Sequence, residues 1–122
     1  YPGVREVLDR LKQDGYPMVI LSNCSIVYKE TNWKEFQLEQ WFQKFYDCES
    51  YGFAPKTEII KTVLEEQEKS KAVVIGDRDS DLAAARAVDG IFIGCRYGFG
   101  SDEELTGSDL FLNDIQELPE KL

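Results

Sequence analysis

The chain has 122 residues, 43% of them hydrophobic and 30% charged, so it can form one folded domain over residues 1–122 but not two. Its 14 basic and 23 acidic residues give a net charge of −9, the wrong sign for a surface that neutralises nucleic-acid phosphates. No apolar run approaches the roughly 20 residues that cross a bilayer. We therefore expect no nucleic-acid partner, no membrane partner and a cytoplasmic location.

Helix-like and strand-like segments alternate along the chain, which favours an α/β fold with a parallel sheet. An apolar face from Val4 to Leu11 predicts a first helix, and the apolar run 18–21 predicts a buried strand that ends at Ser22-Asn23. Residues 25–45 have a mostly helical pattern, and residues 46–48 predict a weaker strand.

The second half continues the alternation. Thr57 is the expected N-cap of a helix that runs through Leu64. The strongest predicted strand, 72–75, leads into Gly76-Asp77 and is followed by a helix that includes residues 82–88. The remaining predicted elements are a strand at 91–93, a glycine-broken loop at 94–100, a short helix capped by Ser101 and Glu104, a strand at 109–112 and a helical turn at 115–118.

Several reaction classes are excluded by the residue types present. The chain has no histidine, which removes the commonest general base and every histidine-based triad. Its cysteines, Cys24, Cys48 and Cys95, form no C-x-x-C pair, so they indicate neither a disulfide framework nor a zinc site. Reduced, mostly buried thiols are the simplest interpretation.

Three polar clusters are expected at or near the carboxyl edge of the sheet, where α/β proteins form their sites. Ser22-Asn23 could hold an oxyanion with a hydroxyl, an amide and backbone N–H groups, although an ordinary strand-to-loop turn would look the same. Lys56 follows Pro55 at a helix start, where a lysine is unfavourable unless an anion lies nearby. A solvated loop lysine is the alternative.

A third cluster, residues 76–81, places three carboxylates within five positions, and only Arg78 offsets their repulsion. Magnesium suits such a cluster because it binds hard oxygen ligands. The positive end of a helix dipole would explain Asp79 and, less well, Asp81. It does not explain Asp77, which follows directly after the glycine that closes a buried strand.

The order of these clusters resembles the phosphatase branch of the haloacid dehalogenase-like (HAD) hydrolase superfamily over the whole chain. Leu21-Ser22-Asn23 matches the second motif of the family, Lys56 the third and Gly76-Asp77-Arg78-Asp79-Ser80-Asp81 the fourth. Tyr1-Pro2-Gly3-Val4 and Tyr97-Gly98-Phe99-Gly100 are similar to phosphoglycolate phosphatase-like members, although a plain glycine turn also explains the second stretch.

The resemblance implies a three-layer, Rossmann-like core with a mostly parallel sheet. It also implies hydrolysis of a small phosphorylated metabolite through a covalent aspartyl-phosphate, with Mg²⁺ as the cofactor. Ser22 and Lys56 would be catalytic, Ser22, Asn23 and Lys56 would bind the phosphate, and Asp77 with Asp81 would serve the metal.

The first motif of the family, D-x-D-x-T/V, which supplies the nucleophile, has no match. Asp47 and Asp79 are the nearest acids by chemistry, but neither has the required spacing. The resemblance therefore implies that the nucleophile strand and the cap domain lie upstream of Tyr1, and that this segment alone is inactive.

In the family, the first-motif strand lies between the strand that ends at Ser22 and the strand that ends at Ile75. Its absence would leave two inner edges unpaired, at about 1–3 kcal/mol for each buried group that lacks a partner. We expect the N-terminal segment, another chain or a rearranged sheet to fill this position. Five aromatic side chains are interpreted as core or as surface that faces the cap: Trp33, Phe36, Trp41, Phe42 and Phe45.

Other functions remain open on this evidence. A non-catalytic phosphate- or metal-binding module, either a degenerate HAD domain or a receiver-like domain, would carry the same clusters. A receiver domain would also need an acidic pair near its N-terminus and a phosphorylatable aspartate after its third strand, and neither is visible. Within the superfamily, a phosphomutase or a dehalogenase is the alternative activity.

Overall fold

The computed structural model describes residues 3–98 and 103–122, and it confirms the α/β class with parallel strands. The helices are α1 (Val4–Gln13), α2 (Ile26–Glu35), α3 (Lys56–Glu66), α4 (Asp79–Ala87) and α5 (Leu118–Lys121). The strands are β1 (Val19–Ser22), β2 (Lys44–Asp47), β3 (Val73–Gly76), β4 (Ile91–Cys95) and β5 (Leu110–Leu112). No helix in the described ranges is long and apolar enough to span a membrane.

The described strands form two parallel sheets instead of one continuous sheet. In the first, β1 pairs with β2, and Ser22 lies opposite Asp47. The second has the order β3-β4-β5, with Gly76 opposite Gly94. Within residues 3–98 and 103–122, β1 and β3 therefore each have a strand partner on one side only. These are the two strands that the resemblance places on either side of the first-motif strand.

Helices cover both faces of the second sheet, which gives the three layers expected of the fold. Successive residues of a strand point to opposite faces. Phe92 of β4 packs with Ala85 of α4, whereas Ile93, next in the strand, packs with Val7 and Leu11 of α1. α3 packs on one face of the first sheet, through a cluster of Tyr46, Cys48, Ile59 and Val63. Each fully buried side chain of this kind contributes roughly 1.5–3 kcal/mol.

The unpaired side of β3 leaves apolar surface uncovered. Ile75 is 39% exposed, whereas Ile93, opposite it on β4, is fully buried. Ile75 also lines a cavity of about 280 Å³, together with Val4, Cys95 and Ile115. An apolar space therefore adjoins the edge of β3.

The aromatic residues between α1 and β2 divide between core and surface. Trp41 and Phe45 are buried in the core, as one part of the expectation stated. Phe36 is exposed, and Trp33 and Phe42 are half-buried. α2 ends at Glu35 because Phe36 and Gln37 leave helical geometry, and Gln37 adopts a left-handed φ of 50°.

Element boundaries differ from the sequence-based expectation at several points, and the stretch 25–45 holds α2 only as far as Glu35. α3 begins at Lys56 with Pro55 at its N-cap, because proline already has the φ that a helix start requires, so Thr57 falls inside the first turn. β2 begins at Lys44, two residues earlier than predicted. Ser101 lies outside the described residues, and residues 103–107 form turns in which Glu104 pairs with Arg78 at 3.5 Å.

Asp47, at the end of β2, is the only buried polar side chain in the described part of the chain, with 1% exposure. Its carboxylate accepts hydrogen bonds from Lys29 Nζ at 2.7 Å, from the Ser50 backbone N–H at 2.7 Å and from Ser50 Oγ at 2.8 Å. Burial alone would raise the pKa of Asp47, but the bonds from Lys29 and Ser50 outweigh it and lower the pKa to about 2. Asp47 therefore ties α2 and the turn after β2 to the sheet.

We expect Asp47→Asn to lower the free energy of unfolding by about 3 kcal/mol, because it leaves the Lys29 ammonium without its counter-charge. The pKa falls from 3.8 to about 2 on folding, so this stabilisation is fully present above pH 3.8 and disappears as the pH falls through 2. Urea unfolding of both proteins between pH 7 and pH 2 measures the difference.

The matched control for this prediction is Asp14→Asn, which removes an exposed pair with Arg10 at 3.8 Å. This change should alter stability by less than about 0.5 kcal/mol. Equal losses in the two variants, or a loss at Asp47 that does not shrink at low pH, would contradict the assigned role of Asp47.

Candidate active site

The residues predicted to form the site lie at strand ends and helix starts. Ser22 is the last residue of β1, and Asn23 follows it at the surface. Asp77 follows β3 directly, Lys56 is the first residue of α3, and Asp81 lies in the first turn of α4. All of them are therefore near the carboxyl ends of the parallel strands, where α/β proteins bind ligands.

Lys56 and Asp81 form a direct ion pair. Lys56 Nζ donates to Asp81 Oδ1 at 2.6 Å, and the two side chains are only 11% and 15% exposed. The Asp81 carboxylate offsets the unfavourable position of a lysine at the positive end of the α3 dipole. Lys56 is therefore not a solvated loop lysine, and its ammonium is held at the start of two adjacent helices.

Asp77 lies at the end of β3, beside the cavity of about 280 Å³ that Ile75, Tyr97 and Gly98 also line. Cys95 of β4 lines the same cavity. Burial raises the pKa of the Cys95 thiol, a hydrogen bond with Tyr97 opposes this, and the charges of Asp77 and Asp81 raise it further.

Ser22 and Asn23 belong to the other sheet. The Cys24 backbone N–H donates to the Ser22 carbonyl at 3.0 Å, and burial raises the pKa of the Cys24 thiol whereas Ser22 lowers it. Lys56, Asp77 and Asp81 are thus grouped around the starts of α3 and α4, and Ser22 with Asn23 ends the neighbouring sheet. Among the predicted site residues, Lys56 and Asp81 are in direct contact.

The donor chemistry of these residues fits a magnesium ion in part. Magnesium is commonly held by one or two carboxylates together with waters and substrate oxygens, and Asp77 supplies a hard oxygen donor at a strand end. Asp81 has one carboxylate oxygen on Lys56. Across residues 3–98 and 103–122, no three acidic, cysteine or histidine side chains converge as a metal site. Asp77 could therefore be one ligand of a set completed by other groups.

The hydrogen-bonded group of Asp47, Lys29 and Ser50 contains none of the predicted site residues. The sequence identified Asp47 only as one of the two acids nearest in chemistry to the missing nucleophile, without the required spacing. In the structure its two oxygens accept bonds from Lys29 and Ser50 inside the protein, an arrangement that stabilises the fold and leaves the carboxylate inaccessible to substrate. Lys29 is 18 residues away in the chain, so no short-range sequence pattern links the two.

We expect Asp81→Asn to lower the free energy of unfolding by about 2–3 kcal/mol, because Lys56 would keep a largely buried ammonium without an anion. The matched control is Asp79→Asn, an exposed acid in the same first helical turn, where only the dipole interaction of up to about 1 kcal/mol is lost. Chemical unfolding of the two variants separates the ion pair from the dipole. Equal losses would contradict a specific role for the pair.

The arrangement can be compared with known proteins. A family model described as haloacid dehalogenase-like hydrolase matches residues 1–94. The chain is 23% identical to a phosphoglycolate phosphatase from Haemophilus influenzae over 97% of the chain and 55% of the relative. It is 29% identical to a 5'-nucleotidase from Pseudomonas aeruginosa over 86% of the chain and 49% of the relative.

Solved structures share the same fold. The crystal structure of a predicted phosphatase from Clostridium acetobutylicum matches with a TM-score of 0.90 and 28% identity, over 99% of this chain and 58% of that one. This chain therefore spans about half the length of the curated relatives it matches.

Proposed function

Because the chain belongs to the haloacid dehalogenase-like hydrolase family, we propose that the protein containing it is a phosphatase that hydrolyses the phosphate ester of a small metabolite. The observation that carries this proposal is the Lys56–Asp81 ion pair, next to the Asp77 carboxylate at the carboxyl end of β3. The relatives named above act on two different phosphate esters, so the proposal is limited to phosphomonoesters as a class.

Lys56, Ser22 and Asn23 are the proposed phosphate-binding groups. The Lys56 ammonium, held in place by Asp81, would offset negative charge on the phosphoryl group and on the attacking carboxylate. The Ser22 hydroxyl and the Asn23 amide would donate hydrogen bonds to phosphoryl oxygens. Phosphoryl transfer depends mainly on positioning and charge stabilisation, and these three side chains have the chemistry to supply both.

Asp77 is the proposed carboxylate ligand of a magnesium ion, and Asp81 supports the same region while it holds Lys56. When bound, magnesium would neutralise charge on the phosphoryl group and help to orient it. The position of Asp77 supports this role, because it follows a strand end where a phosphate could be approached by Lys56 from the start of α3.

The nucleophile is proposed to be an aspartate on a further strand that lies between β1 and β3. The one-sided pairing of both strands, the exposure of Ile75, and the apolar cavity beside Ile75 support this proposal. Residues 1–122 would then form part of one HAD-like core domain, and without that strand they would be inactive.

Such an aspartate would attack phosphorus and form an aspartyl-phosphate as the ester P–O bond breaks and the alcohol leaves. Water would then break the acyl-phosphate, release inorganic phosphate and restore the carboxylate. The residues of this chain would hold the phosphoryl group through both steps and would not themselves be phosphorylated.

We expect the full-length protein to hydrolyse p-nitrophenyl phosphate in the presence of Mg²⁺, and chelation with EDTA to abolish this activity. Lys56→Met and Asp77→Asn should each reduce kcat by about 10²–10³-fold, because each removes a charge that stabilises the transition state. Asp79→Asn, an exposed acid of the same motif, should keep activity within a few-fold.

Calorimetric titration with MgCl₂ checks metal binding independently of turnover. An unmodified full-length protein that neither hydrolyses the ester nor binds Mg²⁺ would exclude the phosphatase proposal and favour the non-catalytic module. Full activity in Asp77→Asn would contradict the role of that carboxylate.

The proposed strand predicts hydrogen exchange at its neighbours. In the full-length protein, amides on both sides of β1 and of β3 should be protected, because each strand would have a partner on either side. The carbonyls of Met18 and Ala72 accept bonds from the β2 and β4 sides, so by strand alternation the amides of Leu21 and Ile75 face the open sides of β1 and β3. Exchange of the Leu21 and Ile75 amides as fast as that of unprotected amides would show that no strand occupies this position. Exchange measured by NMR at single-residue resolution provides the test.

A further inference from the structure

The stretch Tyr97-Gly98, which follows β4, lies against the site at Gly98. A Cβ atom added to Gly98 would lie 2.7 Å from Cγ of Asp77 and closer still to its Cβ and Oδ2. Real Cβ atoms do not approach other atoms this closely, so the backbone of the loop rests directly against the Asp77 carboxylate.

Glycine can be required for either of two reasons, a left-handed φ or a close approach. Gly98 does not have a left-handed φ, unlike Gly3, Gly15 and Gly52. The simple glycine turn suggested by the sequence therefore does not explain this position, and the close approach to Asp77 does.

The loop is held in place from the other side, so it cannot easily move away from Asp77. The Gly98 N–H donates to the Cys95 carbonyl at 3.2 Å, and the Arg96 N–H donates to the Leu112 carbonyl of β5 at 2.8 Å. The Arg96 guanidinium also lies 4.0 Å from the centre of the Phe111 ring. A side chain at position 98 would therefore displace the carboxylate and not the loop.

Asp81 is in similar close contact with the backbone of a glycine. A Cβ atom added to Gly76, the last residue of β3, would lie 2.6 Å from both Cβ and Cγ of Asp81. Gly76 also lacks a left-handed φ. Each of the two carboxylates is thus confined by the backbone of a glycine.

We propose that Gly98 is a positioning residue: because it has no side chain, the loop after β4 holds the Asp77 carboxylate in its place at the end of β3. That the Asp77 carboxylate held in this way binds a metal ion rests on the proposed function. The positioning itself rests only on the contact between Gly98 and Asp77.

A double-mutant cycle in the full-length protein tests the contact. Gly98→Ala should lower Tm by about 2–8 °C in the unmodified background. In the Asp77→Gly background, where both the Cβ atom and the carboxylate of residue 77 are absent, the same substitution should leave Tm unchanged. A loss of equal size in both backgrounds, or no loss in either, would overturn the proposal.

Calorimetric titration with MgCl₂ tests whether the contact between Gly98 and Asp77 affects metal binding. Gly98→Ala should weaken Mg²⁺ affinity by about 10–100-fold, the usual effect of disturbing a group that orients a metal ligand. Gly107→Ala is the matched control, because its added Cβ would meet only the flexible Leu82 side chain, at 3.2 Å. It should leave Mg²⁺ affinity unchanged.

The outcomes separate the two proposals. If the unmodified protein binds no Mg²⁺ while the thermal cycle shows coupling, the metal site is wrong and the positioning of Asp77 by Gly98 is supported. If the unmodified protein binds Mg²⁺ and Gly98→Ala binds it equally well, the positioning role is wrong and the metal site is unaffected.

Discussion

The ion pair between Lys56 and Asp81 joins the two halves of the molecule at the place where the site is built. α3 packs on the β1-β2 sheet, α4 packs on the β3-β4-β5 sheet, and the pair links the starts of these two helices. A buried ammonium or carboxylate costs several kcal/mol unless it has a partner of opposite charge. Each charge therefore holds the other in place, and the packing of the helices determines where the ammonium lies.

Three carboxylates at strand ends and helix starts have different roles because their surroundings differ. Asp47 is buried under Lys29 and Ser50 and stabilises the fold. Asp81 is paired with Lys56. Asp77 lies beside a cavity and against the backbone of Gly98. Burial and hydrogen-bond partners, and not residue type, thus separate the structural acid from the candidate site acids.

The division of the described strands into two sheets is the main difference from a continuous α/β sheet. Exposed apolar residues on an unpaired strand promote association with other strands. Ile75 of β3 is such a residue. In the proposed function, β3 pairs with the nucleophile strand along this unpaired edge. The phosphate-binding groups and the attacking group would then come from different parts of one core.

Local sequence patterns determined most of the element order, because apolar periodicity and strand-ending polar residues depend only on nearby positions. They also identified Ser22, Lys56, Asp77 and Asp81 as candidates, through their place after strands or at helix starts. Contacts between distant residues decided the rest. Lys29 reaches Asp47, Lys56 reaches Asp81, and Gly98 meets Asp77 only once the chain is folded, since these pairs are 18, 25 and 21 positions apart. Spacing can place a charge or a glycine at an edge of the sheet, but only tertiary packing selects the atoms that it touches.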